Sequence, residues 1–409
     1  MKIANMRLKQ AAIAVIAAAL PLAAAAADPV QALQQQIDAL QKQLEQLRSQ
    51  MQQQNQSTTS NQELAREVKA LKKEVKSAGE WKDTNTLFHV TGYGDVGYTD
   101  AENKSSTFSP FSFNPVFHFQ YKDLLLAEAE FSYKVDEKGE TETELEYAAI
   151  NLFLNDYMAL SAGKLLSPIG QFRQNIHPSW INKLPSAPVG FGHGQAAPIA
   201  MVGVQLRGGV PLGDSDNRVN YALFVDNGPG LDIAGGEIEE IHTGGLGTDS
   251  DGKKVAGGRI GLFLPAYKLD LGLSGATGKV AGIAESGVTR DYDVVDADFT
   301  WRPGQFDFRG EYVSQKIGDA AASSAPEGGT WKAWYVQGAY RLGGKWEPVV
   351  RYGRYNTPHP DLDQKQWALG LNYLFTSSII GKVAYEFNDG LDGKSSDDDR
   401  LLLQLTYGF

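Results

Sequence analysis

Two different periods of apolar residues divide the chain. Leu33, Ile37, Leu40, Leu44, Leu47 and Met51 recur in alternating steps of four and three, the spacing of a heptad seam. A second block, Leu64, Val68, Leu71 and Val75, repeats it, with Glu63, Glu67 and Lys72 alongside. The spacing predicts an α-helical coiled coil over residues 28–79, broken or stuttered in the Gln/Ser/Thr/Asn-rich stretch 52–62. At ~1.5 Å per residue such a segment reaches roughly 70 Å if helical throughout. One amphipathic helix lying against a larger body is the plainer alternative, but the seam is narrow, which favours the coil. Residues 80–86 read as a hinge.

From Leu87 onward the period falls to two. Ala127, Ala129, Phe131 and Tyr133 alternate with Glu128, Glu130 and Ser132, and Leu403, Leu405, Tyr407 and Phe409 alternate with Gln404, Thr406 and Gly408. The same pattern recurs at Phe306, Phe308 and Tyr312 against Asp307, Arg309 and Glu311. Each is a strand with one apolar and one polar face. About 16 such strands are countable, beginning near Phe88, Phe113, Leu124, Glu142, Tyr157, Met201, Val219, Gly257, Lys268, Asp291, Gln305, Trp331, Trp346, Lys365, Ile379 and Leu401.

Alternation alone also describes a soluble sandwich. The connections decide. Short links at 122–123, 155–156, 211–216, 265–267, 302–304, 343–345 and 375–378 alternate with longer loops, the parity of a transmembrane barrel with tight turns on one rim and extended loops on the other. An all-β barrel of about 16 antiparallel strands over residues 87–409 is therefore expected. Tyr98, Tyr157, Trp301, Trp331, Tyr340, Trp346 and Tyr373 fall near strand ends, as interfacial girdles require.

Composition adds three constraints. A basic start with Lys2, Arg7 and Lys9, an apolar run from Ala11 to Leu22, and Ala25–Ala27 before Asp28 read as a secretory signal over residues 1–27. Cysteine is absent, so no disulfide, thiolate metal site or cysteine nucleophile is available, and closure of the sheet must hold the exported chain together. The net charge of −11 argues against nucleic acid as a partner.

Phe409, with Leu405 and Tyr407 on the same face, resembles the last strand of outer-membrane barrel proteins, whose final aromatic residue is the signal read by the barrel assembly machinery. The segment AGKLLSP from Ala162 to Pro168 is similar to the strand-to-loop transition of porins, in particular the phosphate-selective porin O and P family and its coiled-coil-bearing relatives. The resemblance implies a Gram-negative outer-membrane location, contact with lipid and lipopolysaccharide, a homotrimer, and passive diffusion of small hydrophilic solutes. The reach of the helix and an even strand count, which returns the C-terminus to the side where the coil begins, place the coil in the periplasm, with peptidoglycan as its candidate partner. The motif is short, so the family's phosphate-binding residues are not carried over.

The loop 165–199 is the expected constriction. It carries five prolines between Pro168 and Pro198, with Phe172, Trp180 and Phe191, and between Tyr157 and Gly213 there is no acid, while Lys164, Arg173, Lys183 and Arg207 occur. If the loop folds into the lumen, these cations favour anions at the narrowest point. A loop touching lipopolysaccharide or solvent is the equal alternative. The wall is expected to be acidic, with Glu128, Glu130, Glu144, Glu146, Asp296, Asp298, Asp307 and Glu311 facing inward, interrupted by Arg309 and Lys382. Such acids either pair with bases or form a cation path, leaving a cation-preferring or general porin as alternatives. The loop 226–256, rich in Gly, Asp and Glu, reads as solvated and extracellular.

Enzymatic readings lack a converging site. Six histidines sit in no nucleophile elbow or HExxH pattern; a barrel lipase using His118 is the best of them. No cofactor motif is present: Gly208–Gly209 and Gly257–Gly258 read as strand bends, and Asp397–Asp399 as a solvated loop tip rather than a Ca2+ site. A structural tether, with the barrel as a plugged anchor, is the remaining non-enzymatic alternative.

Overall fold

The computed structural model describes Asp38, Gln41, Lys42 and residues 86–409 except 137, 214, 215, 250 and 286. The expected signal segment, nearly all of the coil and residues 80–85 of the hinge lie outside the described residues; Asp38, Gln41 and Lys42 are helical. The chain divides into the units Met1–Asn85 and Thr86–Phe409, and the second holds the β-sheet.

Its strands, in order, are β1 Thr86–Ala101, β2 Phe111–Tyr121, β3 Leu125–Val135, β4 Thr141–Asn155, β5 Met158–Leu166, β6 Ala200–Pro211, β7 Arg218–Asp226, β8 Gly230–Ala234, β9 Glu237–His242, β10 Val255–Leu264, β11 Leu269–Ala281, β12 Thr289–Trp301, β13 Phe306–Ile317, β14 Gly329–Tyr340, β15 Trp346–Asn356, β16 Gln364–Leu374, β17 Ile379–Asp389 and β18 Arg400–Gly408. Sixteen of them form one closed antiparallel barrel in which each strand pairs with its sequence neighbours, and β8 and β9 form a separate hairpin. Closure is made by β1 against β18, from Tyr93 opposite Gly408 to Ala101 opposite Arg400. No edge is left, so every strand's backbone groups find partners without water.

Short connections lie on one rim and long ones on the other, as the sequence predicts, except that the long-rim link 136–140 is itself tight. Turn chemistry fits: Gly343 and Gly344 take φ of 53° and 77° in the turn 341–345, a left-handed geometry that a β-carbon strains.

The faces are inverted relative to a soluble protein. On β16, Trp367 is 51% and Leu369 46% exposed, while Gln366 and Asn372 are 2% and 1% exposed. The outward apolar side chains run round the whole barrel, far beyond the few hundred Å² a soluble monomer leaves open; hydrocarbon is the solvent that accommodates them. Aromatic clusters edge the band. Phe306 stacks on Phe308 at 5.5 Å and Trp346 meets Tyr373 at 4.7 Å near the short-turn rim, and Tyr385 meets Phe387 at 4.7 Å toward the other. Phe409 completes the seam, its N–H donating to Gly92 O at 2.9 Å and its ring stacking on Phe113 at 5.8 Å.

A bulge breaks the period that the sequence suggests. Glu130 pairs with Tyr147 but Phe131 with Leu145, so Glu146 is the extra residue of β4. Past it, Tyr147, Ala149, Asn151 and Phe153 share the lumen face.

At the long-loop rim, Glu285 ties 282–288 to 318–328. It accepts hydrogen bonds from Ser323 Oγ at 2.6 Å and from the Ser324 hydroxyl and N–H, the latter at 2.8 Å. These bonds, Ser323's first, hold its carboxyl down at about 2 against an ordinary 4.5. A depressed folded-state pKa gives stability that is complete above the unfolded value and is lost as pH falls through the folded one. We therefore expect the Ser324 amide to stay protected from hydrogen exchange at pH 3 and to lose protection only near pH 2; loss near pH 4.5 would contradict the carboxylate tie.

Candidate functional site

The lumen is partly filled. Residues 167–199 turn inward and pack on the wall formed by β11–β18. Phe172, Phe191 and Tyr335 meet edge to face, with centroids 5.1–6.3 Å apart, within a buried core that includes Ile169, Ile176, Val189, Val313 and Trp331. Polar anchors fix the loop along its length. Gly170 N donates to Ser274 Oγ at 3.0 Å, Gln171 Nε2 to Asp298 at 2.8 Å and Phe172 N to Glu311 at 2.8 Å. Farther along, Lys382 Nζ donates to Asn182 O at 2.7 Å and also to Ser179 O, and Arg351 donates to Ser186 O at 3.0 Å and Ala187 O at 3.1 Å.

This explains why the loop lacks acids. Around Gln171, Phe172 and Lys183 the wall supplies carboxylates and the loop supplies the N–H groups and the lysine that satisfy them; an acid at those positions would face like charge in a dry contact.

The second long loop corrects the expectation of a solvated segment. It carries the β8–β9 hairpin, whose Leu231, Ile238 and Ile241 are buried in the same core. Ile199 and Ala200 N–H groups both donate to Thr243 O at 3.0 Å, so the two loops are hydrogen-bonded together.

The predicted constriction residues are not brought together. Lys183 Nζ lies 2.9 Å from Glu347 and 3.7 Å from Asp307; Arg341 also reaches Glu347 at 2.7 Å and Arg309 reaches Asp307 at 2.7 Å, so Lys183 is held in an ion-paired cluster on the wall and stands apart from the other predicted cations. Arg173 is buried in the field of Glu146, Glu144 and Glu130. Beside it, burial and the Arg173 charge push the His177 imidazole down to about 3. The 4.0 Å approach of His177 to Glu130 is thus no ion pair at neutral pH, and Glu130 instead accepts from Tyr93 OH at 2.8 Å.

Lys164 is a correction. It stands opposite Ala148 and Val202, in phase with the outward Leu160 and Val204, because period two places it two residues from Ala162 and one from the inward Leu165. Its Nζ donates to Leu145 O at 2.6 Å. Arg207 does face the lumen: it donates to Asn151 Oδ1 at 3.0 Å, lies 3.9 Å from Glu128, and its side chain is 43% exposed.

The wall residues Glu128, Glu130, Asp307, Arg309, Glu311 and Lys382 all point inward, but Asp307, Glu311 and Lys382 hold the loop and Arg309 bonds Asp307. Open space remains on the other side, in a cavity of about 640 Å³ between Gln171, Gln174 and Asn175 of the loop and the inner faces of β4–β7, β10 and β11. Three carboxylates, Glu128, Asp156 and Asp270, and two guanidiniums, Arg207 and Arg259, line it. Sequence reasoning missed Asn151, Gln205 and Arg259. Arg259 was detectable as the one charge in the apolar strand VAGGRIGLFL; it donates to both oxygens of Asp298, through NH2 at 2.8 Å.

Other candidates dissolve on inspection. Glu144, Glu146 and His193 bring ligand atoms within 4.8 Å of one another, but Arg173, Lys134 and Lys164 place positive charge around them, which opposes a cation. His118 contacts Glu128 at 3.7 Å and stacks on His89. Asp397 and Asp399 accept from Gly390 N and Asn388 N, capping their own loop, and Asp398 accepts from Asn103 Nδ2 of the β1–β2 loop.

Solved porins share this architecture. An anion-selective porin from Comamonas acidovorans is 15% identical, with 79% of this chain and all of that one aligned at a TM-score of 0.54. The outer membrane channel DcaP of Acinetobacter baumannii is 13% identical over 80% of this chain and 99% of its own, with a TM-score of 0.53. The trimer form of OmpT, an outer membrane protein of Vibrio cholerae, is 13% identical over 80% and 100%, with a TM-score of 0.52. No curated protein matches the sequence. The chain thus has the fold of an outer-membrane porin, and its residues 275–409 match the phosphate-selective porin O and P family.

Proposed function

We propose that the protein is a general porin through which small hydrophilic solutes diffuse passively, with little preference for either ion sign. The observation that carries this reading is the partly open lumen: apolar residues face out, polar residues face in, and the open part is lined by mixed charge. The anion preference expected from the loop cations rests on Arg207 alone. Lys183 is held against the wall in ion pairs with Glu347 and Asp307, Arg173 is buried, Lys164 faces outward, and three carboxylates oppose two guanidiniums in the open cavity. Homotrimeric assembly, as in the trimer form of OmpT, and attachment of an N-terminal coiled coil to peptidoglycan in the periplasm belong to the same reading.

In planar bilayers, stepwise conductance is expected, with a reversal potential close to zero in a salt gradient. Arg207→Glu should move it toward the cation limit, since the variant leaves only Arg259 against four carboxylates. A strongly anion-directed reversal potential in the parent protein would reinstate the loop cations. A protein that inserts without conducting is a plugged anchor. Deleting residues 31–76 should leave conductance in place if the coil only attaches or assembles the barrel.

A further inference from the structure

We infer that the open cavity holds a saturable subsite for neutral, hydroxyl-rich solutes of mono- to disaccharide size. The inference rests on the porin reading and names the solute class that reading leaves open. Gln205 starts the argument. Its side chain is 3% exposed, lines the cavity, and its Nε2 has no partner, and buried polar groups left unpaired are rare enough to call for a reason.

The bed around Gln205 is built across three strands. Asn151, Ser161 and Gln205 stand in one cross-strand row, and Phe153, Ala159 and Arg207 in the next. The small middle residues Ser161 and Ala159 make the bed concave. At ~4.8 Å per strand, its two sides stand roughly 10 Å apart. Primary amides are the commonest polar side chains of the lining; Asn151 and Gln171 are already bonded within the wall and loop, and Gln174, Asn175, Gln205 and Asn220 are the ones that face a solute. An amide offers both a donor and an acceptor, and so does each hydroxyl of a sugar, whereas a halide only accepts and uses half of every amide.

Charge points the same way. Arg207 has Glu128 at 3.9 Å and Arg259 has both oxygens of Asp298, so an anion gains no free cation and meets Asp270 as well. A cation meets the two guanidiniums. Tyr147 and Phe153, brought to the same face by the β4 bulge, offer ring surface to the C–H face of a sugar. The volume of about 640 Å³ lies within the ~300–1,000 Å³ typical of small-molecule sites.

The test is single-channel current of the full-length protein in planar bilayers with maltose, glucose, inorganic phosphate or lysine added. Maltose should reduce the current along a saturating curve, more strongly than the other three at equal concentration. Gln205→Met should raise the half-blocking concentration about three- to tenfold, the span of one lost hydrogen bond. Gln174→Ala, from the loop side, should also raise it, while Lys365→Ala outside the cavity should not; each curve is read against that variant's own open current. Conduction with block that only follows bulk viscosity, or stronger block by phosphate or lysine, overturns the saccharide subsite and leaves the porin reading intact. Absence of conductance overturns the porin reading itself.

Discussion

Replacing residues 168–198 by a short glycine linker is expected to raise single-channel conductance severalfold and to turn the channel toward cations. Leu166 and Ala200 are direct cross-strand partners, so the cut ends already lie side by side and a tight link can join them. The barrel's own hydrogen bonds are untouched, because the loop contributes to none of the sixteen-strand ladder. A sixteen-stranded barrel is wide enough for an aqueous channel, and with this loop gone the β8–β9 hairpin is what remains of the filling. The wall would then expose Asp298, Glu311, Glu347 and Glu386 together with Arg351 and Lys382, which now donate to loop carbonyls. Losing Lys183 and Arg173 as well leaves that wall more acidic, so the reversal potential should move toward the cation limit as conductance rises. Both are read in one bilayer experiment on folded, heat-modifiable protein. Conductance equal to the parent's would mean that the restriction lies elsewhere.

The barrel was legible because its code is local. Strand starts such as Trp346 and Ile379 coincide with the expected ones, since period two and tight turns need no knowledge of distant residues. Three features were not legible, each for a physical reason. The β8–β9 hairpin hides because Leu231, Ile233, Ile238 and Ile241 are diluted by Gly, Asp and Glu, and what buries them is another loop rather than a strand neighbour. The bulge at Glu146 changes the phase of β4 without leaving a Gly or Pro to announce it. The fate of the loop cations depends on partners far along the chain: Lys183 meets Glu347, and Lys382 meets Asn182. A run of like sign reads the same whether its charges face water or are matched by carboxylates on a distant strand.

That matching sets the second large effect, the response to Glu386→Leu. Glu386 is fully buried; it accepts from Ser186 Oγ, lies 3.5 Å from Arg351 and is also held by Arg400. Arg351 is buried too, with its guanidinium fixed to the loop carbonyls of Ser186 and Ala187 and to Gln366 at 3.1 Å. Removing the carboxylate leaves an uncompensated buried charge, which costs about 3–5 kcal/mol. Arg400 is partly exposed and can turn to solvent, so it contributes little to that penalty. Glu386→Leu should therefore lower the urea midpoint in lipid vesicles substantially and expose the loop near Ser186 to protease. Adding Arg351→Leu removes the stranded charge, and the double variant should recover part of the loss despite having lost more hydrogen bonds. Strictly additive losses would mean that the two side chains act independently, and that the loop is held in the lumen by its apolar face around Phe172 and Phe191 rather than by this charged clamp.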